Sequence, residues 1–343
     1  MARLKSKRAR NRNKAELITT ILMWVVPIAI LIWLIWAQNN LITVDNMIFK
    51  VDGLPKSFVG YKIVHISDLC NSSLDIVDNV KELEPDIIIL SGGYCDKDGD
   101  ANNTVKQVKK LCKIADVYYV YNSTDKDVLK ETDAINITDE NVIIEAKKFD
   151  AEDFIEDMYG EDILDKAKDE DKEALLYIEY ITEALLDSSD ATINIMGIDN
   201  YTEENGKYEA LEVVNSILEN NKSEYTIGVT GNLKNVDEIA KSNLDAIFTS
   251  GTFGTNLLSD KYTKGTYGVN GTQMFITGGI GKHEDVVRIF NFPQIQCITL
   301  SDGTLMDKNP LEKFIGFFVD DVGTIFDGDG GFKEYKYEYK NED

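Results

Sequence analysis

The stretch YKIVHISDLCNSSLDIVDNVKELEPDIIILSGGYCD, residues 61–96, decides the fold that this sequence predicts. Two short apolar runs rich in β-branched residues, Ile63 to Ile66 and Asp86 to Leu90, predict buried strands. Between them four apolar residues recur at the spacing of a helix: Leu74, Val77, Val80 and Leu83. This order of strand, helix and strand predicts an α/β fold with a parallel sheet.

Polar residues follow both predicted strands, and four of them can carry chemistry. Asp68 and Cys70 follow the first strand, and Cys95 and Asp96 follow the second. Because the carboxyl ends of adjacent parallel strands face one crevice, we expect these side chains to lie close together. Cys70 and Cys95 could form a disulfide in an oxidising compartment, or hold a soft metal with the two carboxylates. Two free thiols in a half-buried loop are the alternative.

The amino terminus reads as a membrane anchor. Residues 1–16 are basic and polar, and residues 17–37 are apolar, with Thr19, Thr20 and Pro27 as the interruptions. About 20 helical residues span a bilayer core of roughly 30 Å, so residues 17–37 predict a transmembrane helix. A cleaved signal peptide is disfavoured because the apolar run is too long and no clear small-x-small site follows it. The Lys and Arg residues before the helix predict a cytoplasmic amino terminus, with the main domain outside the cell membrane.

The charge of the chain excludes one class of partner. Lys and Arg total 36 against 60 Asp and Glu, and seven of the basic residues fall in the first 14 positions. From residue 17 onward the chain is therefore more acidic than its total of −24 suggests. Such a surface repels phosphate backbones, so nucleic acid is not an expected partner.

Several strings of the sequence are similar to a known family. KIVHISDLC (62–70) and PDIIILSGG (85–93) resemble the opening of the calcineurin-like metallophosphoesterases, particularly the bacterial members anchored by an N-terminal membrane helix. GGIG (278–281) and FNFPQIQCITL (290–300) resemble the closing strands of the same family. The resemblance implies a four-layer α/β/β/α sandwich over residues 38–300.

Two further segments lie outside that resemblance. Residues 151–190 hold fifteen acidic residues and three lysines, with apolar positions at helical spacing. They predict a solvated helical insertion packed by one face, or alternatively an interaction or cation-collecting arm. Residues 301–343 form a C-terminal extension.

The resemblance also implies a dinuclear metal site, and this chain has lost most of its ligands. By position, only Asp68 and Asn122 remain. The other family ligand or catalytic positions carry residues of different chemistry: Cys70, Gly93, Ser123, Gly231, Gly251 and Phe253. The chain has only two histidines, His65 and His283, so an imidazole-rich centre cannot be rebuilt elsewhere. His65 lies within the first predicted strand, where we expect a packed and hydrogen-bonded role.

The sequence therefore predicts a pseudoenzyme: a membrane-anchored, metallophosphoesterase-like protein with no catalytic residues and no cofactor. Its partners would be the membrane, through the N-terminal helix, and an unknown protein or cell-envelope ligand. The alternative is a metal-dependent hydrolase of lipid or cell-envelope phosphoesters, with Mn, Fe or Zn in a non-standard site. A cation-binding ectodomain that uses its acidic surface is a third hypothesis.

Overall fold

A computed structural model describes the fold of most of the chain outside the acidic segment and the C-terminal extension. The described residues are 2–51, 54–121, 125–146, 191–198, 209–220, 223, 225–231, 233, 236–242, 244–251, 261–281, 288 and 291–301. The predictions for residues 151–190 and 302–343 lie outside them. The described chain is a mixed α/β structure with two sheets and an apolar N-terminal helix, which confirms the α/β class.

The first helix, α1 (Ala2–Asn40), contains the predicted membrane span. Residues Ile18–Asn40 have a mean hydropathy of 2.5 over their most apolar window, and none of that window is buried in the protein. An apolar helix of this length with an exposed surface is compatible with a single membrane anchor. Pro27 lies inside it.

The first sheet has six strands in the order β1-β12-β2-β3-β4-β5. The strands are β1 (Thr43–Lys50), β2 (Lys62–Ile66), β3 (Ile87–Ser91), β4 (Asp116–Val120), β5 (Ile135–Asn136) and β12 (Gln294–Ser301). All neighbours are parallel except β12 and β2. β1 lies at the edge of the sheet, as the alternation of residues 42 to 58 predicts.

The second sheet also has six strands, in the order β10-β11-β9-β8-β7-β6. They are β6 (Asn141–Glu145), β7 (Thr192–Ile198), β8 (Tyr225–Thr230), β9 (Ala246–Ser250), β10 (Gly265–Val269) and β11 (Thr272–Thr277). The central neighbours β7, β8, β9 and β11 run parallel, and the two outer pairs are antiparallel.

Apolar side chains from both sheets share one core. Ile63 and Ile89 of the first sheet belong to the same buried cluster as Ile227, Val229 and Phe248 of the second. Because strand side chains alternate between faces, the next residues along each strand point to the opposite face of their sheet. There a second cluster includes Val64 and Ile88, and a third includes Met196 and Ile247.

The helices cover those outer faces. α2 (Val77–Leu83) and α3 (Asn102–Leu111) contribute to the cluster on the first sheet. α4 (Glu209–Asn220) and α5 (Val236–Ile239) contribute to the cluster on the second. α2 is shorter than its apolar spacing predicts, because Leu74 lies before its first turn, where Asp75 accepts the Val77 N–H at 3.1 Å.

Candidate functional site

The carboxyl ends of strands from both sheets meet at one place. Ser67 and Asp68 follow β2, Gly92 and Gly93 follow β3, and a Gly-rich loop, residues 278–281, follows β11. The Asp68 N–H donates to the Gly92 carbonyl at 3.0 Å, and the Gly281 N–H donates to the Asp68 carbonyl at 2.6 Å. These bonds join the loops into one backbone network around Asp68.

The Asp68 carboxyl group is sealed inside this network, with only 1% of the residue exposed. Its Oδ2 accepts the Ser67 hydroxyl at 2.9 Å, while Oδ1 has no hydrogen-bond partner. Burial is the main cause that raises the pKa of Asp68 well above its ordinary value, although the Ser67 hydrogen bond and the Arg288 charge lower it. Burial thus makes this carboxyl group easier to protonate than an exposed aspartate.

Two glycines close on this carboxyl group from either side. A Cβ on Gly93 would lie 2.4 Å from Asp68 Oδ1, and a Cβ on Gly279 would lie 3.0 Å from Oδ2. Both glycines have positive φ, at 69° and 66°. A side chain at position 93, where the resemblance implies a metal ligand, would overlap Asp68 unless the backbone shifted.

Gly251 shows the same closure at the end of β9. Its N–H donates to the Thr277 carbonyl at 2.9 Å, and a Cβ on it would lie 2.3 Å from that same carbonyl oxygen. Gly231, at the end of β8, uses its carbonyl to accept the Ser250 hydroxyl at 2.5 Å. At positions 93 and 251 the glycines thus allow a close approach that a side chain would obstruct.

The two cysteines near the site are free thiols in this structure. Cys70 is buried, and its N–H donates to the Gly93 carbonyl at 2.7 Å. Burial, followed by the charges of Asp68 and Asp125, raises the pKa of the Cys70 thiol. Burial and the nearby Asp125 carboxylate raise the pKa of Cys95 to about 12. Protonated thiols are poor nucleophiles and poor metal ligands, and the disulfide or soft-metal pairing stays a prediction.

A buried arginine, Arg288, lies beside this cluster, and sequence reasoning gave it no role. Only 1% of it is exposed. Its Nη1 donates to the Gly278 carbonyl at 2.7 Å, its Nη2 donates to the Gly281 carbonyl, and its Nε has no partner. Burial lowers the pKa of Arg288 and the charge of Asp68 raises it, while the Arg288 charge in turn lowers the pKa of Asp68. The signal in the sequence was an arginine between apolar neighbours, in VVRIF (286–290), in a chain poor in basic residues.

His65 has the packed role that its strand position predicts. Its Nδ1 lies 3.0 Å from Gln296 Oε1 and its Nε2 lies 2.7 Å from the Ser91 hydroxyl. Because the Gln296 oxygen can only accept, Nδ1 carries the proton and Nε2 accepts from Ser91. Burial lowers the pKa of His65 to about 4, so the ring is neutral at ordinary pH.

Other site residues that the sequence suggests cannot be placed. Asn122 and Ser123, Phe253 and His283 lie outside the described residues. Among the residues that are described, no group of three or more His, Cys, Asp or Glu side chains could hold a metal ion. Of the two family ligands that the resemblance leaves in this chain, the described residues include Asp68 alone.

Comparisons with known proteins add no family assignment. No protein-family model matches the chain, and no curated protein sequence matches it. The site itself is a closed, glycine-lined cluster that contains a buried carboxyl group and two thiols, all with raised pKa values, and a buried guanidinium group.

Proposed function

We propose that this chain is a membrane-anchored, metallophosphoesterase-like pseudoenzyme that binds a partner or ligand and does not hydrolyse phosphoesters. The observation that carries the proposal is the packing of Gly93 against Asp68. A metal-bridging carboxylate at position 93 would need a Cβ 2.4 Å from Asp68 Oδ1, which is far inside van der Waals contact. The absence of a carboxylate at position 93 and the close packing of the backbone around that position both support a non-catalytic role.

The four-layer α/β/β/α sandwich of the resembled family is part of the same proposal. Two six-stranded sheets with a common core, and helices that contribute to the clusters on both outer faces, agree with that arrangement. A fold of this kind can persist after catalytic activity is lost, because the core residues that stabilise it are separate from the metal ligands.

The proposed location is the cell membrane, which the chain would cross once through α1. The exposed apolar helix supports the anchor, and the basic residues before it support a cytoplasmic amino terminus with the domain outside. The partner would then be a protein or a ligand of the cell envelope.

The test is metal content of the full chain purified in detergent, with hydrolysis of a generic aryl phosphodiester in added Mn²⁺. We expect well under one equivalent of Mn, Fe or Zn and no turnover above that of a mock preparation. About two equivalents of metal together with turnover would overturn the proposal.

A second candidate is a hydrolase with a non-standard metal site, and one observation favours it. Asp68 Oδ1 is buried and has no partner, so it is a free acceptor at the position of a family ligand. If this candidate is correct, Asp68→Asn abolishes both metal binding and turnover, while Asp78→Asn, on the exposed side of α2, changes neither. Metal binding that survives Asp68→Asn would exclude this candidate.

A further inference from the structure

The membrane helix joins the domain at the same end as the candidate site. β12 runs antiparallel to β2, so Gln296 lies opposite His65 near the carboxyl end of β2. β1 runs parallel to β12, and its first residue, Thr43, lies opposite Gln294. The chain that leaves α1 at Asn40 thus enters the sheet at the end of the domain where the carboxyl ends of β2, β3 and β4 lie.

The junction between α1 and the domain is packed. Ala37 is 2% exposed, whereas Trp36 is 54% exposed, so the domain begins to cover the helix at residue 37. The Asn39 side chain accepts the Arg288 N–H at 3.1 Å, and its amide lies 3.4 Å from the Arg288 carbonyl as a donor. Thr43 then continues the contact through its N–H, which donates to the Pro293 carbonyl at 2.7 Å.

This junction fixes the distance between the domain and the bilayer. Trp residues favour the membrane–water interface, and Trp33 and Trp36 lie at the outer end of the apolar span. The rise of an α-helix is about 1.5 Å per residue, so Ala37 to Asn40 extends only about 6 Å beyond Trp36. The end of the domain at which α1 arrives therefore lies at the level of the lipid headgroups.

We propose that the strand-end face, made of residues 67–72, 92–100 and 278–281, lies toward the headgroup layer of the bilayer that α1 crosses. The partner of this face is then the lipid headgroup layer itself. The inference deepens the proposed function and rests on its membrane anchor.

The chemistry of the exposed part of this face suits water and headgroups. Asp98, Gly99 and Asp100 are exposed, and the loop is ordered by Asp96, whose Oδ1 accepts the N–H groups of Asp98 and Asp100 at 3.0 and 2.9 Å. Carboxylates at the surface attract ammonium groups and repel bare phosphates. A bilayer of zwitterionic lipid, such as phosphatidylcholine, therefore repels this face less than an anionic bilayer does.

Two lysines at opposite ends of the domain allow a direct test. Lys97 lies in the strand-end face after β3, and Lys113 lies before the amino end of β4; both are exposed. A five-residue strand at about 3.3 Å per residue puts roughly 17 Å between the two levels. Each lysine is replaced by cysteine in a Cys95→Ser, Cys112→Ser background and labelled with one fluorophore, and the full chain is placed in phosphatidylcholine vesicles.

A quencher on the lipid headgroup then reports which label lies nearer the bilayer. We expect the label at Lys97→Cys to be quenched several-fold more than the label at Lys113→Cys. Equal quenching, or stronger quenching at position 113, would overturn the inference. This result does not depend on activity or bound metal. The inferred orientation can therefore be wrong while the pseudoenzyme proposal is right, and it can be right while that proposal is wrong.

Discussion

At the scale of single residues, the candidate site depends on glycines that hold a backbone with no space for side chains. Gly93 has a φ of 69°, and an added Cβ would lie 2.4 Å from Asp68 Oδ1 and 2.8 Å from Asp68 Cα. Gly99 has a similar φ, 79°, but nothing lies within 4 Å of its Cβ position. Because the two glycines have similar backbone conformations, comparing substitutions at them separates the cost of backbone strain from the cost of steric overlap.

Gly93→Ala should therefore destabilise the protein far more than Gly99→Ala. The left-handed backbone costs about 1 kcal/mol in both variants, and overlap in a packed interior adds about 2 kcal/mol at Gly93 alone. Denaturant unfolding of the full chain in detergent measures the difference. Equal losses in the two variants would show that the loop relaxes easily and that position 93 could have kept a ligand.

His65 gives the site a defined response to pH. Burial lowers its pKa to about 4, against an ordinary value near 6.5 in the unfolded chain. Because the unfolded state binds the proton more tightly, burial of neutral His65 makes a contribution to folding stability that is fully present above pH 6.5. This contribution is lost as pH falls toward 4. The linkage amounts to about 3 kcal/mol. Asp68 acts with the opposite sign, because its raised pKa favours the folded state as pH falls.

The opposing contributions make overall stability a poor measure of His65 alone, and NMR of the histidine rings is the direct measurement. The chain holds only His65 and His283, so His283→Gln leaves one ring signal to follow. We expect that signal to stay that of a neutral Nδ1–H tautomer down to about pH 5. A midpoint between 6 and 7 would mean that the ring is solvated and that the two sheets do not pack around it.

At the scale of elements, the sequence predicts strands and helices well where the local pattern is strong. β2, β3 and β4 are short apolar runs, and their residues are almost all buried, as the β-branched composition indicates. α3 begins at Asn102 with polar residues, which carry no apolar signal for the start of a helix, so its first turn is harder to predict.

The packing of α1 on the domain could not be predicted in the same way. Asn39 and Arg288 are 249 residues apart, and nothing local in either neighbourhood indicates that they meet. Likewise, the closure of Gly93 and Gly279 on Asp68 follows from the approach of β3 and β11 to β2. The sequence shows glycines at these positions, and only the tertiary structure shows what packs against them.

The contact between α1 and Arg288 leads to a prediction at this scale. Asn39→Ala removes both side-chain bonds to the Arg288 backbone and should cost about 1 to 2 kcal/mol of stability. Asn40→Ala is the control, because the Asn40 side chain bonds only to the Trp36 carbonyl one turn back, in an exposed position.

The readout of Asn39→Ala combines thermal unfolding with the difference in headgroup quenching between labels at positions 97 and 113. A looser junction should reduce that difference, and Asn40→Ala should leave it unchanged. If both variants behave alike, the packing of α1 does not orient the domain.

At the scale of the whole molecule, charge controls how closely the domain can approach a membrane. Apart from its first 16 residues, the chain carries a large excess of acidic over basic side chains. A domain held at headgroup level by a packed junction has little freedom to move away, so repulsion from anionic lipids acts against the junction itself. Electrostatic repulsion of this kind is screened by salt, with a Debye length of about 10 Å at 0.1 M and about 30 Å at 0.01 M.

Replacing about a third of the phosphatidylcholine by an anionic lipid should therefore weaken the quenching of the label at position 97 at 10 mM salt. At 200 mM salt the quenching should return toward its value in pure phosphatidylcholine, because the screening length falls below the size of the strand-end face. The label at position 113 serves as the control, since a domain that tilts away changes its distance much less. Quenching that grows with anionic lipid would instead mean that cations on the domain, such as the half-buried Lys264, dominate the contact and that the face prefers anionic headgroups.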